Sequence, residues 1–340
     1  MKELTSEERM IRTLQGEETD RVPVFEWLID KKVINAIQPG ISEHEFCYAM
    51  NLDAVCVDCN YKSEKIADDL IKDEWGMIKK DTGQAHTFPL DGPIRTMKDL
   101  ESYISPDPKN PERFRSVEKA VEEHKGKKAV ILHLNDVFSI PSRLMPFDHF
   151  MMLLLDEPET VKALVDISVN TNLALAEEAV KRGIKIVYTG DDYAYNSGPM
   201  VSPLQFREIF YPGLKKVMQG FKDLGLFVIK HTDGNIMPII DMIVDSGIDC
   251  LDPIDPVAGM DISYIKKTYG DRIAIKGNVD CAQTLTFGSV EETIEETKRC
   301  LEIGMKGGRY IFSSSNSIHS DVKPENFIAM LETAQNFGRY

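Results

Sequence analysis

Eight short, nearly unbroken apolar runs, most of them followed by an amphipathic helical stretch, constrain this chain more than any other feature. The runs are VPVFEW (22–27), DAVCVDCNY (53–61), AVILHLNDV (129–137), IKIVYTGDD (184–192), LFVIKHTDGN (226–235), IDCLDPIDP (248–256), IAIKGNVD (273–280) and RYIFSSSN (309–316). Runs without polar alternation, bounded by Gly, Asp and Pro, suit strands buried on both faces, as in a parallel sheet. Between them, SPLQFREIFYPGLKKVMQGFKDLG opens with Ser202 as N-cap and Pro203 in the first helical position. DEPETVKALVDISVNTNLALAEEAVKRG, SVEETIEETKRCLEIG and KPENFIAMLETAQNFG repeat an apolar stripe at helical spacing. Strand and helix alternating eight times predict an α/β protein, a (β/α)₈ TIM barrel. An open doubly wound sheet fits less well, because no GxGxxG turn follows the first strand. The expected organisation is one barrel domain over 1–340, with an N-terminal helix in MKELTSEERMIRTL. Residues 62–128, too many for one crossover, read as an insertion of helix and loop after strand two, near the barrel mouth.

The 340 residues include 42% hydrophobic ones, enough for a large core. A formal net charge of −15 and a pI near 5.0 argue against nucleic acid and anionic membrane surfaces as partners. No apolar run approaches the roughly 18–20 residues that span a bilayer, and the charged N-terminus does not read as a signal peptide. Six scattered cysteines form no disulfide framework and no paired CxxC zinc pattern. A reduced, cytoplasmic protein is expected.

Barrels of this type carry their active sites at the C-terminal strand ends. In order, those ends offer Glu26; Asp58 and Asn60; His133 and Asn135; Asp191 and Asp192; His231 and Asp233; Asp252 and Asp255; Asn278, Asp280 and Cys281; and Ser313 to Asn316. The set is rich in groups that ligate metals or move protons, and poor in Arg and Lys. His231 and Asp233 stand two apart, which on a strand puts both on one face. Together with the Cys281 thiol they could bind a catalytic Zn²⁺ that keeps an open position. Equally, His231 could be a buried imidazole held by a neighbouring acid.

The series LDEPETV, GIKIVYTGDDYAYNSGPMVSPLQFREIFYPGLKKV, HTDGN, GIDCLDPIDP and IKGNVD…TLTFGSVEET resembles the uroporphyrinogen decarboxylase superfamily, most strongly over 150–330. The resemblance implies one of two activities on one barrel: metal-free porphyrinogen decarboxylation, or zinc-dependent methyl exchange with a corrinoid carried on a separate small protein. The decarboxylase places an arginine-bearing RQAGRY-type segment after strand one, where this chain has FEWLIDKKVINA; its strand-two aspartate falls near Asn60. The methyltransferase branch holds zinc with His-x-Cys after strand five and a further Cys after strand eight. His231 matches the first ligand, Asp233 replaces the second, and the SSSN serines stand at the third.

The resemblance therefore implies a methyltransferase of O-demethylase type, moving a methyl group between a small methylated substrate, such as a methoxylated aromatic, and corrinoid cobalt. The expected zinc ligands are His231 and Cys281, with Glu26 or Asp233 giving oxygen. Asp191, Asp192 and Asp233 are the expected acids, since crowded carboxylates raise one another's pKa. Asn60, His133, Tyr193, Tyr195 and His319 are the expected substrate-binding residues. Uroporphyrinogen decarboxylation, or non-catalytic small-molecule binding on the same scaffold, is the alternative.

Overall fold

The computed structural model describes residues 3–82 and 87–340. Seven parallel strands follow in sequence order: β1 (Ala54–Asp58), β2 (Ala129–Leu134), β3 (Ile186–Gly190), β4 (Phe227–His231), β5 (Cys250–Asp252), β6 (Ala274–Val279) and β7 (Tyr310–Ser314). The eighth stave is the predicted first run, 22–27, and it is not a regular strand. It closes the gap between β7 and β1 through single bridges: Phe25 N–H donates to Phe312 O, Phe312 N–H to Pro23 O, and Asp53 N–H to Val24 O. Pro23 has no N–H to give, and the Val24 N–H donates to the Asp53 side chain at 2.8 Å. The sheet thus curls into the (β/α)₈ fold.

Two apolar layers result. Inside the barrel, Phe25, Ala54, Ala129, Ile131, Ile186, Tyr188, Ile229, Cys250, Ala274 and Ile311 form one buried cluster. Helix α1 (Ser6–Gln15) plugs the N-terminal end of the barrel with Met10 and Leu14, which belong to the same cluster. Outside, a much larger cluster packs the strands against the helical ring. The longest ring helix, Pro158–Lys181, has Pro at its start, where a missing N–H costs no bond. Ser202 caps the helix beginning at Pro203 through a reciprocal bond with Gln205. That helix carries a wide turn at Phe206–Phe210, where Tyr211 N–H reaches back to Phe206 O. The following Pro212 lacks the N–H that would continue the regular ladder.

The long insertion departs from its expected form. Residues 63–91 contain a four-stranded antiparallel sheet, Ser63–Ala67, Leu70–Asp73, Ile78–Lys80 and Phe88–Asp91, where helix and loop were expected. Residues 83–86 of the insertion lie outside the described residues. The first of these strands is exposed at every position, so it has no apolar face to reveal it in the sequence. The insertion is tied to the rest of the barrel where Ile94 N–H donates to Leu144 O, and is braced internally where Arg113 forks onto Glu74 at 2.5 and 2.9 Å. No helix among the described residues is long and apolar enough to cross a membrane.

At the closed end, Asp53 is 0% exposed and joins three elements. Its carboxylate accepts from Arg9 of α1 at 2.6 Å, from both Arg21 Nη atoms at 2.8 and 2.9 Å, and from Val24 N. Removing one charge from a buried, hydrogen-bonded cluster leaves the others uncompensated. Asp53→Asn is therefore expected to lower unfolding free energy by about 3–5 kcal/mol in urea melts; a loss under about 1 kcal/mol would show that the clamp does not hold the barrel closed.

Candidate functional site

The inner faces of the staves share a pattern that positions the site. Side chains two apart on a strand point the same way. Each interior apolar residue is therefore followed, two positions on, by the next inward side chain. Ile131 is followed by His133, Ile186 by Tyr188, Ile229 by His231, Cys250 by Asp252, Ala274 by Lys276, and Phe25 by Trp27. Above the apolar floor lies a second layer of groups that can donate, accept or stack.

Asp252, 1% exposed, is the hub of that layer. Its Oδ1 accepts from Lys276 Nζ at 2.7 Å. Its Oδ2 accepts a hydrogen bond from the Tyr188 hydroxyl and lies 3.0 Å from His231 Nδ1. Burial alone would raise the Asp252 pKa, but the Lys276 and His231 cations hold it well below the ordinary carboxylate range. Tyr188 Oη is also 2.8 Å from His231 Nδ1, so that nitrogen faces two partners. The other ring nitrogen, Nε2, is turned toward Asp233 Oδ1 at 3.5 Å and Asp192 Oδ1 at 3.6 Å. Burial pulls the His231 pKa down, yet Asp233 and Asp252 outweigh it and lift it to about 10. Without a competing cation this imidazole holds a proton.

Asp233 is not on the strand, which ends at His231. A turn through Gly234 returns it instead. Gly234 has φ +82°, and a Cβ there would sit 2.6 Å from Ala194 O, so only glycine fits. Asp233 Oδ2 accepts from Asn316 Nδ2 at 2.8 Å, and its backbone N–H donates to Asp192 Oδ1 at 3.2 Å. Asp233 Oδ1 is buried with no hydrogen-bond donor. One donor atom each from Asp192, His231 and Asp233 lie within 4.8 Å of one another. Such a buried, undonated carboxylate oxygen beside a directed imidazole nitrogen fits a divalent cation. For metal–ligand bonds of about 2.0–2.2 Å, tetrahedral ligands stand roughly 3.3–3.5 Å apart.

The other predicted residues are placed differently. Cys281 is 1% exposed and sits beside the loop after β7, its Sγ directed at Ser317 O at 3.3 Å. Burial and the nearby Glu26 push its thiol up to about 12, so it is a neutral thiol outside the three-residue cluster. Glu26, 4% exposed, accepts from Ser314 N and Ser314 Oγ at 2.8 and 2.7 Å. Asp191 is fully buried, and its Oδ2 accepts from the backbone N–H groups of Asp136, Phe138 and Ser139. It braces the turn after β2. Tyr193 is buried with its hydroxyl on Asp136, whereas Tyr195 is exposed.

His133 does face the mouth. Its Nδ1 is held by Asp58 at 2.7 Å, its ring lies 5.0 Å from the Trp27 ring, and its Nε2 is buried without a partner. Gly190 makes the room, since a Cβ there would meet His133 Nε2 at 2.6 Å. Asn60 pairs with Ser116 in the helical ring, and His319 lies 3.3 Å from Thr286 Oγ1. The sequence reading missed Trp27, Tyr188 and Lys276 as site residues. Each lies inside or at the end of an apolar run, and counting by two from the interior residues would have found them.

The family described as uroporphyrinogen decarboxylase (URO-D) matches residues 81–337. The chain belongs to the uroporphyrinogen decarboxylase family. Among relatives in this family, the uroporphyrinogen decarboxylase of Hydrogenovibrio crunogenus is 21% identical over 284 residues, covering 77% of this chain and 74% of that protein. That of Vibrio vulnificus is 22% identical over 293 residues, covering 79% and 76%. A solved methyltransferase from Methanosarcina mazei superposes with a TM-score of 0.75 at 18% identity, covering 98% of this family member and 99% of that chain. At that identity the likeness establishes the barrel fold.

Glu26 gives the site a measurable pH signature. Burial raises its pKa from 4.5 to about 7, against the opposing pull of Lys276. A carboxyl that holds its proton more tightly when folded adds stability that is complete below the unfolded pKa. That stability is lost as pH rises through the folded value. Relative to Glu26→Gln, the wild-type protein should lose roughly 2–3 kcal/mol of unfolding free energy between pH 5 and pH 8. Parallel pH profiles for the two proteins would contradict the assignment.

Proposed function

We propose that this protein is a cytoplasmic, corrinoid-dependent methyltransferase of O-demethylase type, with a Zn²⁺ held at the barrel mouth by His231 Nε2, Asp233 and Asp192. The observation that carries the reading is the Asp233 oxygen buried without a donor beside a histidine nitrogen that Asp252 and Tyr188 hold in place. His231 stands at the first zinc-ligand position of the methyltransferase pattern, Asp233 at the second. The match to the Methanosarcina mazei methyltransferase supports the branch.

When bound, the zinc would polarise the leaving oxygen of a methyl ether, and a partner protein's corrinoid would supply the cobalt that takes the methyl group. The chain's own residues perform the rest. Asp252 holds His231 Nδ1 from behind and so fixes the ring and tautomer, as carboxylates do for metal-binding histidines. Glu26, with its pKa near neutrality, can hold a proton for the alkoxide or phenolate that departs. Trp27 lies within 5.1 Å, ring to ring, of His133, Tyr188 and His231, offering a flat apolar wall over the layer. A cavity of ≈ 270 Å³ leads from Asp192 outward between Phe138, Met145 and Phe147 and the insertion's Phe88 and Leu90. Those walls suit a small methoxylated aromatic ring. On this reading the chain is one barrel domain, with residues 62–128 inserted at the rim.

Decarboxylation of uroporphyrinogen fits less well. The narrow cavity above Asp252 has two cations in its lining, Lys276 and His231, and Asp252 already pairs with both. A polycarboxylate substrate would find no free positive partner there.

Zinc-loaded protein should methylate free cob(I)alamin from a methoxylated aromatic donor, followed by the absorbance change of the cobalt. His231→Ala and Asp233→Ala should abolish transfer, and Asp252→Asn should lower zinc affinity about 10–100-fold. Equal rates in zinc-stripped and zinc-loaded protein, or porphyrinogen turnover without metal, would contradict the proposal.

A further inference from the structure

On the outer face of β1, a groove between α2 (Glu43–Ala49) and α3 (Arg115–His124) carries a second set of ligand-type groups that the mouth does not use. His44 Nδ1 lies 3.0 Å from His124 Nε2, across 80 residues of sequence. The two rings stand at 74° with centroids 4.9 Å apart. Glu123 Oε2 is 4.0 Å from His124 Nε2, and one donor atom from each of the three residues falls within 4.8 Å of the others.

Two features favour a cation over a simple histidine contact. First, Tyr48 Oη is 3.0 Å from His124 Nδ1. His124 is itself only 5% exposed, and with that nitrogen tied to the Tyr48 hydroxyl, Nε2 is the nitrogen aimed at His44, as in metal sites whose histidines are oriented from behind. Second, two imidazoles sharing one tetrahedral zinc stand roughly 3.3 Å apart for Zn–N bonds of about 2.0–2.1 Å, so a few tenths of an ångström would admit the ion. Glu123 is half exposed and only loosely paired, 3.7 Å from Lys119 Nζ, which leaves it free to swing in as the third ligand.

The surrounding charge also suits a cation. Glu43, Glu45, Asp58 and Glu123 line the groove against one lysine, Lys119. Lys127 and Lys128, which also act on His124, do not line the groove. Lys128 Nζ is taken up by Leu52 O at 2.5 Å and lies 5.0 Å from the Tyr48 ring centre.

We propose that His44, Glu123 and His124 form a second divalent-cation site, suited to a borderline ion such as Zn²⁺, that clasps α2 to α3 across the outer face of β1. Two nitrogens and one carboxylate oxygen are a recognised zinc donor set with room for water in the fourth position. The ion joins two helices that flank the strand whose last residue, Asp58, holds His133 at the mouth. The site is independent of the chemistry proposed for the barrel mouth.

The test uses full-length protein stripped with a chelator, reloaded with Zn²⁺, desalted and assayed for metal, with thermal melts in parallel. Wild type should retain two equivalents. His231→Ala should retain one, and its melting temperature should still rise with zinc. His44→Ala in the His231→Ala background should retain none and show no such rise. Glu123→Gln, an exposed change that leaves the packing intact, should weaken this second equivalent at least tenfold. A His231→Ala protein that binds no zinc, or one whose zinc survives His44→Ala and Glu123→Gln unchanged, overturns the proposal. One wild-type equivalent that persists in His231→Ala and vanishes in His44→Ala would support this site while removing the metal from the mouth.

Discussion

Asp252 is the interaction on which the arrangement of the mouth rests. An ion buried in the barrel interior is tolerated only with partners close by, and this carboxylate draws them from three other staves. Tyr188 comes from β3, His231 from β4 and Lys276 from β6. Because Lys276 carries the compensating charge, Asp252 stays ionised and can hold the His231 Nδ1 edge. The Nε2 edge then has one direction left, toward Asp192 and Asp233. The closed end serves the same purpose by other means. Asp53 binds α1, the 22–27 segment and β1 together, so the eighth stave stays in register although Pro23 prevents a regular ladder.

Much of this was legible in the sequence, for physical reasons. Strands covered on both faces leave continuous apolar runs, and helices on a barrel leave stripes, so the alternation could be counted. Ser202 caps its helix where expected, with a reciprocal partner three residues on, and Ser289 caps another in the same way. The strands end earlier than their apolar runs suggested, since runs continue into buried loops. The antiparallel sheet was illegible because Ser63–Ala67 buries neither face. His231, Asp192 and Asp233 could be picked out as strand-end residues. Their grouping comes from the Gly234 turn and not from the strand pleat. Cys281 was chosen for its chemistry, but the thiol faces Ser317 O, a contact between loops that no spacing rule predicts.

The family barrel supports more than one chemistry because the scaffold and the mouth are separable. Apolar interior residues and the helical ring define the fold shared with relatives at 21–22% identity. The layer above the floor decides what can react. Here that layer has carboxylates, an imidazole and an indole, and its one lysine, Lys276, is paired with Asp252 at 2.7 Å. A site built this way attracts a metal cation and repels a polyanion. The rim adds apolar walls from Phe88 and Leu90 of the insertion, which gives that sheet a place in the proposed chemistry.

The central claim is that the strand ends converge on one metal. Anomalous diffraction from zinc-soaked crystals, recorded on both sides of the zinc absorption edge, tests it most directly. The predicted result is a peak at the barrel mouth, about 2.0–2.1 Å from His231 Nε2 and about 2.0–2.2 Å from carboxylate oxygens of Asp233 and Asp192. Zinc-soaked crystals with no anomalous density within reach of His231, or with His231 still bonded only to carboxylates, would contradict the account.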